Sequence, residues 1–206
     1  MTLKNAREMK QLFHLTPLFN MESIIKNGLR PRNLLKENEN AFIDIADPKI
    51  IDKRSYQELG DFIPFHFHPY SAFDFAVKNS HPDIKFVYIT IKRDFARYAG
   101  FKVIPSHPLS DAGQPIELFD YDVGFSMIDW DAVATSGNSD PYVKNAKMAE
   151  CLADRTIPAT LFQNVYVQDL ETKEYIGKLF LTNGITEQPP YVNVCPNLFV
   201  INEPQE

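Results

Sequence analysis

The chain has 206 residues, of which 44% are hydrophobic and 23% charged, the proportions of an ordinary soluble domain long enough to bury a core unaided by metal or disulfides. Its longest apolar runs, such as residues 86–89 and 198–201, are far short of the roughly 20 residues a membrane-spanning helix needs. Its two cysteines, Cys151 and Cys195, fit neither a disulfide framework nor a Cys-x-x-Cys metal motif.

These features exclude disorder as the main state, and they set the expectation of one cytoplasmic domain spanning 1–206, with a core to 185, a tail from 186 and no membrane segment. No secretory leader is expected from residues 1–10, which carry Lys4, Arg7, Glu8 and Lys10. The net charge of −6 argues against a protein that grips duplex nucleic acid by neutralising many phosphates. The charge is also uneven. Residues 1–36 hold seven bases and two acids, a net of +5, which leaves −11 for the rest of the chain. From Val103 to Val143 there are seven acids and no lysine or arginine; such a stretch reads as a solvated acidic face, or as a surface for a basic partner or a divalent cation.

In chain order, residues 11–15 alternate as a short strand, and Asn20 precedes Met21, Ile24 and Ile25 at helical spacing, with Asn20 as N-cap and Gly28 at C′. Residues 31–55 read as a long, polar, partly helical loop through Ile43, Ile45, Ile50 and Ile51. A buried strand is expected over residues 62–67, ended by Pro69, and a helix capped by Ser71 follows. Residues 85–92 form the clearest strand, with Phe86, Tyr88 and Thr90 on one face and Val87, Ile89 and Ile91 on the other. Further strands are expected at 100–105, 149–152, 164–169 and 174–181, and residues 186–206 as a tail draped over the body. Helices read as few and short with no βαβ rhythm, which disfavours a doubly wound sheet and points to an α+β domain with mixed or antiparallel strands.

No glycine-rich phosphate loop, GxSxG elbow or HExxH motif is present. His66 and His68, two apart on an expected strand, would point to one face as metal ligands do, but no third ligand is evident and no metal is expected. His81 and His107 each lie in a Ser-His-Pro triplet and read as loop residues. His14 and Thr16 share one face of a strand that runs into a helix N-terminus, where a ligand with hydroxyls or phosphate would find partners. Glu150 stands in an otherwise apolar segment, Met148 to Leu152, where a carboxylate needs a partner or a cleft. Strand alternation aims Cys151 away from whatever Glu150 faces, which disfavours a cysteine nucleophile.

Taken in order, four pieces resemble the DarT family of nucleic-acid ADP-ribosyltransferase toxins. Phe13-His14-Leu15-Thr16, followed by Asn20, Ile24, Ile25, Gly28 and Leu29, is similar to the family's opening His-x-Thr strand and its helix ending in Gly-Leu. Lys53-Arg54 and then residues 62–67 resemble a basic residue ahead of a "VPFYF"-like strand. Ile128-Asp129-Trp130 is the third piece, and Ala149-Glu150 with Leu152, resembling an "AEFL"-like strand that carries the catalytic glutamate, is the fourth. His66 stands where many relatives have tyrosine.

The resemblance implies a split pair of small mixed sheets, with short helices around a cleft that holds NAD as co-substrate. It implies a catalytic Glu150 hydrogen-bonded to a ribose 2′-hydroxyl, stabilising the oxocarbenium-like charge that develops there as nicotinamide leaves. Arg54 would join it in the catalytic loop, steadying a deprotonated base or the diphosphate. His14, Thr16 and Asn20 would hold ribose hydroxyls. His66, or Tyr70 or Phe73 in its place, would stack on nicotinamide. Tyr142, Lys144 and Lys147, in the acceptor loop ahead of the glutamate, would stack on and clamp a single-stranded base and its phosphate.

The implied activity is ADP-ribosylation of a nucleobase in single-stranded DNA by a bacterial toxin or phage-defence effector with a cognate antitoxin. Two readings stand beside it: the same chemistry on RNA or protein, and a noncatalytic NAD-binding or structural module.

Overall fold

The computed structural model describes residues 3–35, 48–109 and 115–200. After a 3-10 turn over residues 3–8 come β1 (Gln11–Pro17), α1 (Met21–Asn27), α2 (Arg32–Leu35), α3 (Pro48–Tyr56), β2 (Ile63–His66), α4 (Ala72–Ser80), β3 (Phe86–Lys92), α5 (Arg93–Tyr98) and β4 (Lys102–Ile104). There follow β5 (Phe119–Asp120), α6 (Tyr121–Met127), α7 (Trp130–Ala134), α8 (Pro141–Ala146), β6 (Glu150–Ala153), β7 (Asn164–Val167), α9 (Leu170–Thr182) and β8 (Tyr191–Val194).

The strands form an eight-stranded mixed sheet in the order β5-β4-β6-β2-β1-β3-β7-β8. Every neighbouring pair is antiparallel except β7 and β8, which run parallel. The centre of the sheet is its weakest joint. β1 and β3 share seven register pairs from Gln11↔Lys92 to Pro17↔Phe86, whereas β1 and β2 share one, Phe13↔His66. The sheet is therefore two four-stranded halves meeting at a seam, the split α+β arrangement expected.

Alternation along the strands feeds two apolar layers. Leu12, Phe65, Val87, Ile89, Ile91, Cys151 and Val165 fill one face, and Phe13, Phe86, Tyr88, Tyr166, Leu198 and Phe199 the other. Each such side chain contributes roughly 1.5–3 kcal/mol by leaving water. Arg93, 6% exposed, staples the lower end of the seam by donating to the carbonyls of Ala6, Arg7, Gln11 and Phe67.

Some expectations need correction. Residues 174–181 are not a strand but lie within α9, whose buried Thr172, Ile176 and Phe180 recur every four residues. Helices are short but not few: nine occur among the described residues. Residues 191–194 are not draped tail but strand β8 beside β7, followed by a 3-10 turn, Pro196–Phe199, that buries Leu198 and Phe199. The 31–55 segment becomes α2 and α3 at its two ends, while Ile43 and Ile45 fall outside the described residues. Asn20 adopts helical backbone angles and makes no side-chain cap. Its Nδ2 donates to Thr16 Oγ1 at 3.3 Å instead. Gly28 ends α1 as expected, at φ +81°, and Ser71 Oγ caps α4 by accepting from Asp74 N. Among the described residues no helix is long and apolar enough to cross a membrane.

Candidate active site

The register across β2, β6 and β4 fixes which side chains meet. His66 pairs with Glu150, Ile104 pairs with Glu150 from the other side, and Phe13 pairs with His66. Directly opposed residues share a face, so Glu150 and His66 stand side by side at the seam. Cys151 lies on the other face, fully buried, and burial pushes its thiol pKa far up, so it is no nucleophile at neutral pH.

Glu150 is not alone in its apolar surroundings. In the last turn of α3, Arg54 donates through Nη1 to Oε1 at 2.9 Å and to Oε2 at 3.0 Å. The two side chains are 15% and 5% exposed, so the pair sits where water screens it little. Arg54 Nη2 is buried and has no hydrogen-bond partner, and the carboxylate keeps lone pairs that Arg54 does not use. The pair is therefore poised for a further acceptor at Arg54 and a further donor at Glu150.

Around this pair, His66 donates from Nδ1 to the Ala149 carbonyl at 3.3 Å, which leaves Nε2 for another partner. The Phe73 ring lies 6.2 Å from it, tilted by 37°, and Phe73 N donates to Met148 Sδ, tying α4 to the segment leading into Glu150. His107, three residues past β4, belongs to the same cluster, although the sequence made it an ordinary loop residue. Burial lowers its pKa, and Glu150, Lys144 and His66 all lie close enough to act on it electrostatically. Its Nδ1 accepts from Leu109 N at 2.8 Å, so the neutral ring carries its proton on Nε2.

His14, Thr16 and Asn20 form a second group. His14 turns to the opposite face from Phe13, with its ring 5.7 Å from that of Phe65, and it donates from Nδ1 to the Pro64 carbonyl at 2.9 Å. Burial, only partly opposed by that bond and helped by the nearby His66, brings its pKa down to about 4. A neutral His14 presents the Nε2 lone pair, suited to a hydroxyl donor. Thr16 and Asn20, buried and bonded to each other, follow it towards α1. The two groups thus occupy opposite faces of the sheet and approach each other at the seam, where strand pairing is thinnest.

The acceptor-loop candidates divide. Tyr142, at the start of α8, is 63% exposed, and its hydroxyl donates to Asp129 Oδ2 at 2.6 Å. Lys144 is exposed. Lys147, expected to clamp a phosphate, is 1% exposed and donates from Nζ to the Gly137 carbonyl, which makes it a strut beneath the loop. His66 and His68 do not form a ligand pair: β2 ends at His66, and His68 Nδ1 accepts from Tyr70 N. Burial, with His66 and Lys147 nearby, drives the His68 pKa down to about 3. Among the described residues no three His, Cys, Asp or Glu side chains gather as a metal site would require. The acidic stretch is partly neutralised from outside, by Lys102 on Asp120 and Arg97 on Asp122.

The family model described as "ssDNA thymidine ADP-ribosyltransferase, DarT" matches residues 13–200. Among solved structures, the DarT of Thermus sp. 2.9 in complex with ADP-ribosylated ssDNA has a TM-score of 0.78 at 19% identity, covering 94% of this chain and 97% of that one. The same protein in complex with NAD+ has a TM-score of 0.72 at 18% identity, over 93% and 98% of the two chains. The Thermosipho africanus DarTG in complex with ADP-ribose has a TM-score of 0.69 at 14% identity, covering 95% of this chain and 52% of that one. No curated protein sequence matches the chain.

Proposed function

The chain belongs to the DarT family of ssDNA thymidine ADP-ribosyltransferases, and from that premise we propose that Glu150 and Arg54 carry out transfer of ADP-ribose from NAD to a thymidine base in single-stranded DNA. The observation that carries the assignment is the ion pair at the seam, with a buried donor nitrogen on Arg54 still unpaired.

NAD supplies the ADP-ribosyl group: its glycosidic bond breaks, nicotinamide leaves with the bonding pair, positive charge develops on the ribose, and a thymine ring nitrogen bonds to that ribose carbon and releases its proton to water. Glu150 accepts a hydrogen bond from the ribose 2′-hydroxyl and sets its negative charge beside that ribose, an interaction that strengthens as charge develops. Arg54 fixes the carboxylate's orientation through Nη1, and its Nη2–H is a donor for a phosphate oxygen or a base carbonyl. His14 offers Nε2 to a ribose hydroxyl, with Thr16 and Asn20 beside it, so that the dinucleotide straddles the seam between the two groups. His66 and Phe73 provide the ring surfaces against nicotinamide. Tyr142 and Lys144 meet the acceptor strand, one by stacking and the other by charge.

The protein acts in the cytoplasm as the toxin of a toxin–antitoxin pair or as a phage-defence effector, neutralised by a cognate antitoxin. The likeness to a DarTG chain about twice as long supports this pairing. Incubation with labelled NAD and separate pools of single-stranded DNA, RNA and protein tests the acceptor. Label is expected on single-stranded DNA and to depend on thymidine. Label on RNA or protein alone would overturn the acceptor, and label on none would overturn the activity.

A further inference from the structure

We propose that Asp129 and Tyr142 form a clasp that holds the acceptor loop closed, making Asp129 a positioning residue for the DNA strand; this rests on the reading of the chain as a single-stranded-DNA ADP-ribosyltransferase. Asp129 caps the start of α7 and Tyr142 stands in the first turn of α8, so the pair closes the segment that carries the loop between those helices. Asp129 uses both carboxylate oxygens: Oδ1 accepts from Ala132 N at 2.9 Å and so starts α7, while Oδ2 accepts from the Tyr142 hydroxyl at 2.6 Å. Tyr142 N donates to Asp140 Oδ1 at 2.8 Å, starting α8. Between them the chain turns at Gly137, φ +75°, whose carbonyl accepts from Lys147 Nζ.

Lys147 is three residues ahead of Glu150. The loop is therefore tied at its base by the clasp, at its turn by a buried lysine, and through that lysine to the strand that carries the catalytic acid. With 63% of its surface exposed, Tyr142 does not serve the core, so its phenol bond matters for where the ring stands. A phenol bound to a carboxylate is a short, charge-assisted bond. Its effect is to remove loop freedom before DNA arrives, which lowers the ordering cost of association.

Phenylalanine keeps the stacking ring and removes only the hydroxyl, so Tyr142→Phe separates clasp from stacking. The test is steady-state transfer to a thymidine-containing oligonucleotide by the wild type, Tyr142→Phe, Asp129→Asn, Asp129→Ala and the double variant Tyr142→Phe/Asp129→Ala, with thermal midpoints confirming that each is folded. Tyr142→Phe is expected to raise KM for the oligonucleotide by about 3- to 10-fold, as loss of one solvent-exposed hydrogen bond would, while KM for NAD stays put. Asp129→Asn, which retains an acceptor oxygen and a capping side chain, should have the smaller effect. In the Asp129→Ala background the hydroxyl should no longer matter, so the two changes fail to add. Wild-type KM for the oligonucleotide in Tyr142→Phe, or strict additivity, would overturn the clasp alone. A wild-type protein that modifies no oligonucleotide would overturn the reading beneath it, and the clasp's role with it.

Discussion

Arg54 Nη1 lies 2.9 and 3.0 Å from the two carboxylate oxygens of Glu150, across 96 residues of chain. Neither partner is comfortable without the other. Removing one member of a buried pair leaves an uncompensated charge and typically costs about 3 kcal/mol or more. Arg54→Ala should therefore lower stability by about that amount and also slow transfer by roughly 100-fold, a double loss read from the thermal midpoint and single-turnover rate. Arg54→Lys restores the charge without the planar fork and should recover more of the stability than of the rate. Full activity in Arg54→Ala would remove the arginine from the mechanism.

Two histidines, His68 buried and His14 half-buried, make the fold acid-sensitive. The pKa values of His14 and His68 are lowered to about 4 and about 3, chiefly by burial, against about 6.5 in an unfolded chain. Between those values the unfolded state takes up a proton that the folded state refuses, so stability is intact above pH 6.5 and declines as pH falls through the window. Each histidine contributes at most about 1.4 kcal/mol per pH unit. The midpoint should drop steadily from pH 6.5 to 4, and the imidazole NMR signals of both residues should not titrate above pH 5. A titration of either near pH 6.5 would contradict the geometry.

Gly28 ends α1 at φ +81°, and a Cβ built there would stand 2.6 Å from Thr156 Cγ2 and 3.0 Å from the Ile157 carbonyl oxygen. The backbone is already committed at this point, because Leu29 and Ile157 exchange both hydrogen bonds of a bridge. Gly28→Ala should destabilise the protein by more than about 1 kcal/mol. Because α1 follows directly on Asn20, which is bonded to Thr16, it should also weaken NAD binding. Titration calorimetry and thermal melts check both; wild-type values in each would show that the bridge yields easily.

The sequence is readable where burial is local and two-faced. β3 stands out because both of its faces are packed, which makes it an unbroken run of apolar and β-branched residues, and Glu150 stands out because a carboxylate in an apolar strand needs a partner. α9 is misread because its exposed Tyr175 and Leu181 blur the four-residue spacing of Thr172, Ile176 and Phe180. The N-caps Asp129 and Asp140 announce α7 and α8, yet within an acidic run they look like mere charge. β8 is invisible because its strand pairing among the described residues is parallel, to β7, with α9 in between. His107 reaches the site only through the β4/β6 register, and Lys147 looks like a surface cation until the loop above it is folded. The site's local pieces are thus legible, and what escapes is whatever depends on pairings made far along the chain.

The most direct test of the central claim is mass spectrometry of a thymidine-containing single-stranded oligonucleotide after incubation with NAD and either the wild type or Glu150→Gln. Glutamine preserves the size of the side chain and an acceptor oxygen while removing the negative charge on which the mechanism depends. The wild type should add one ADP-ribosyl unit, and Glu150→Gln should add it at least about 100-fold more slowly, with the NAD-induced rise in thermal midpoint retained. An adduct formed by Glu150→Gln at the wild-type rate would contradict the account.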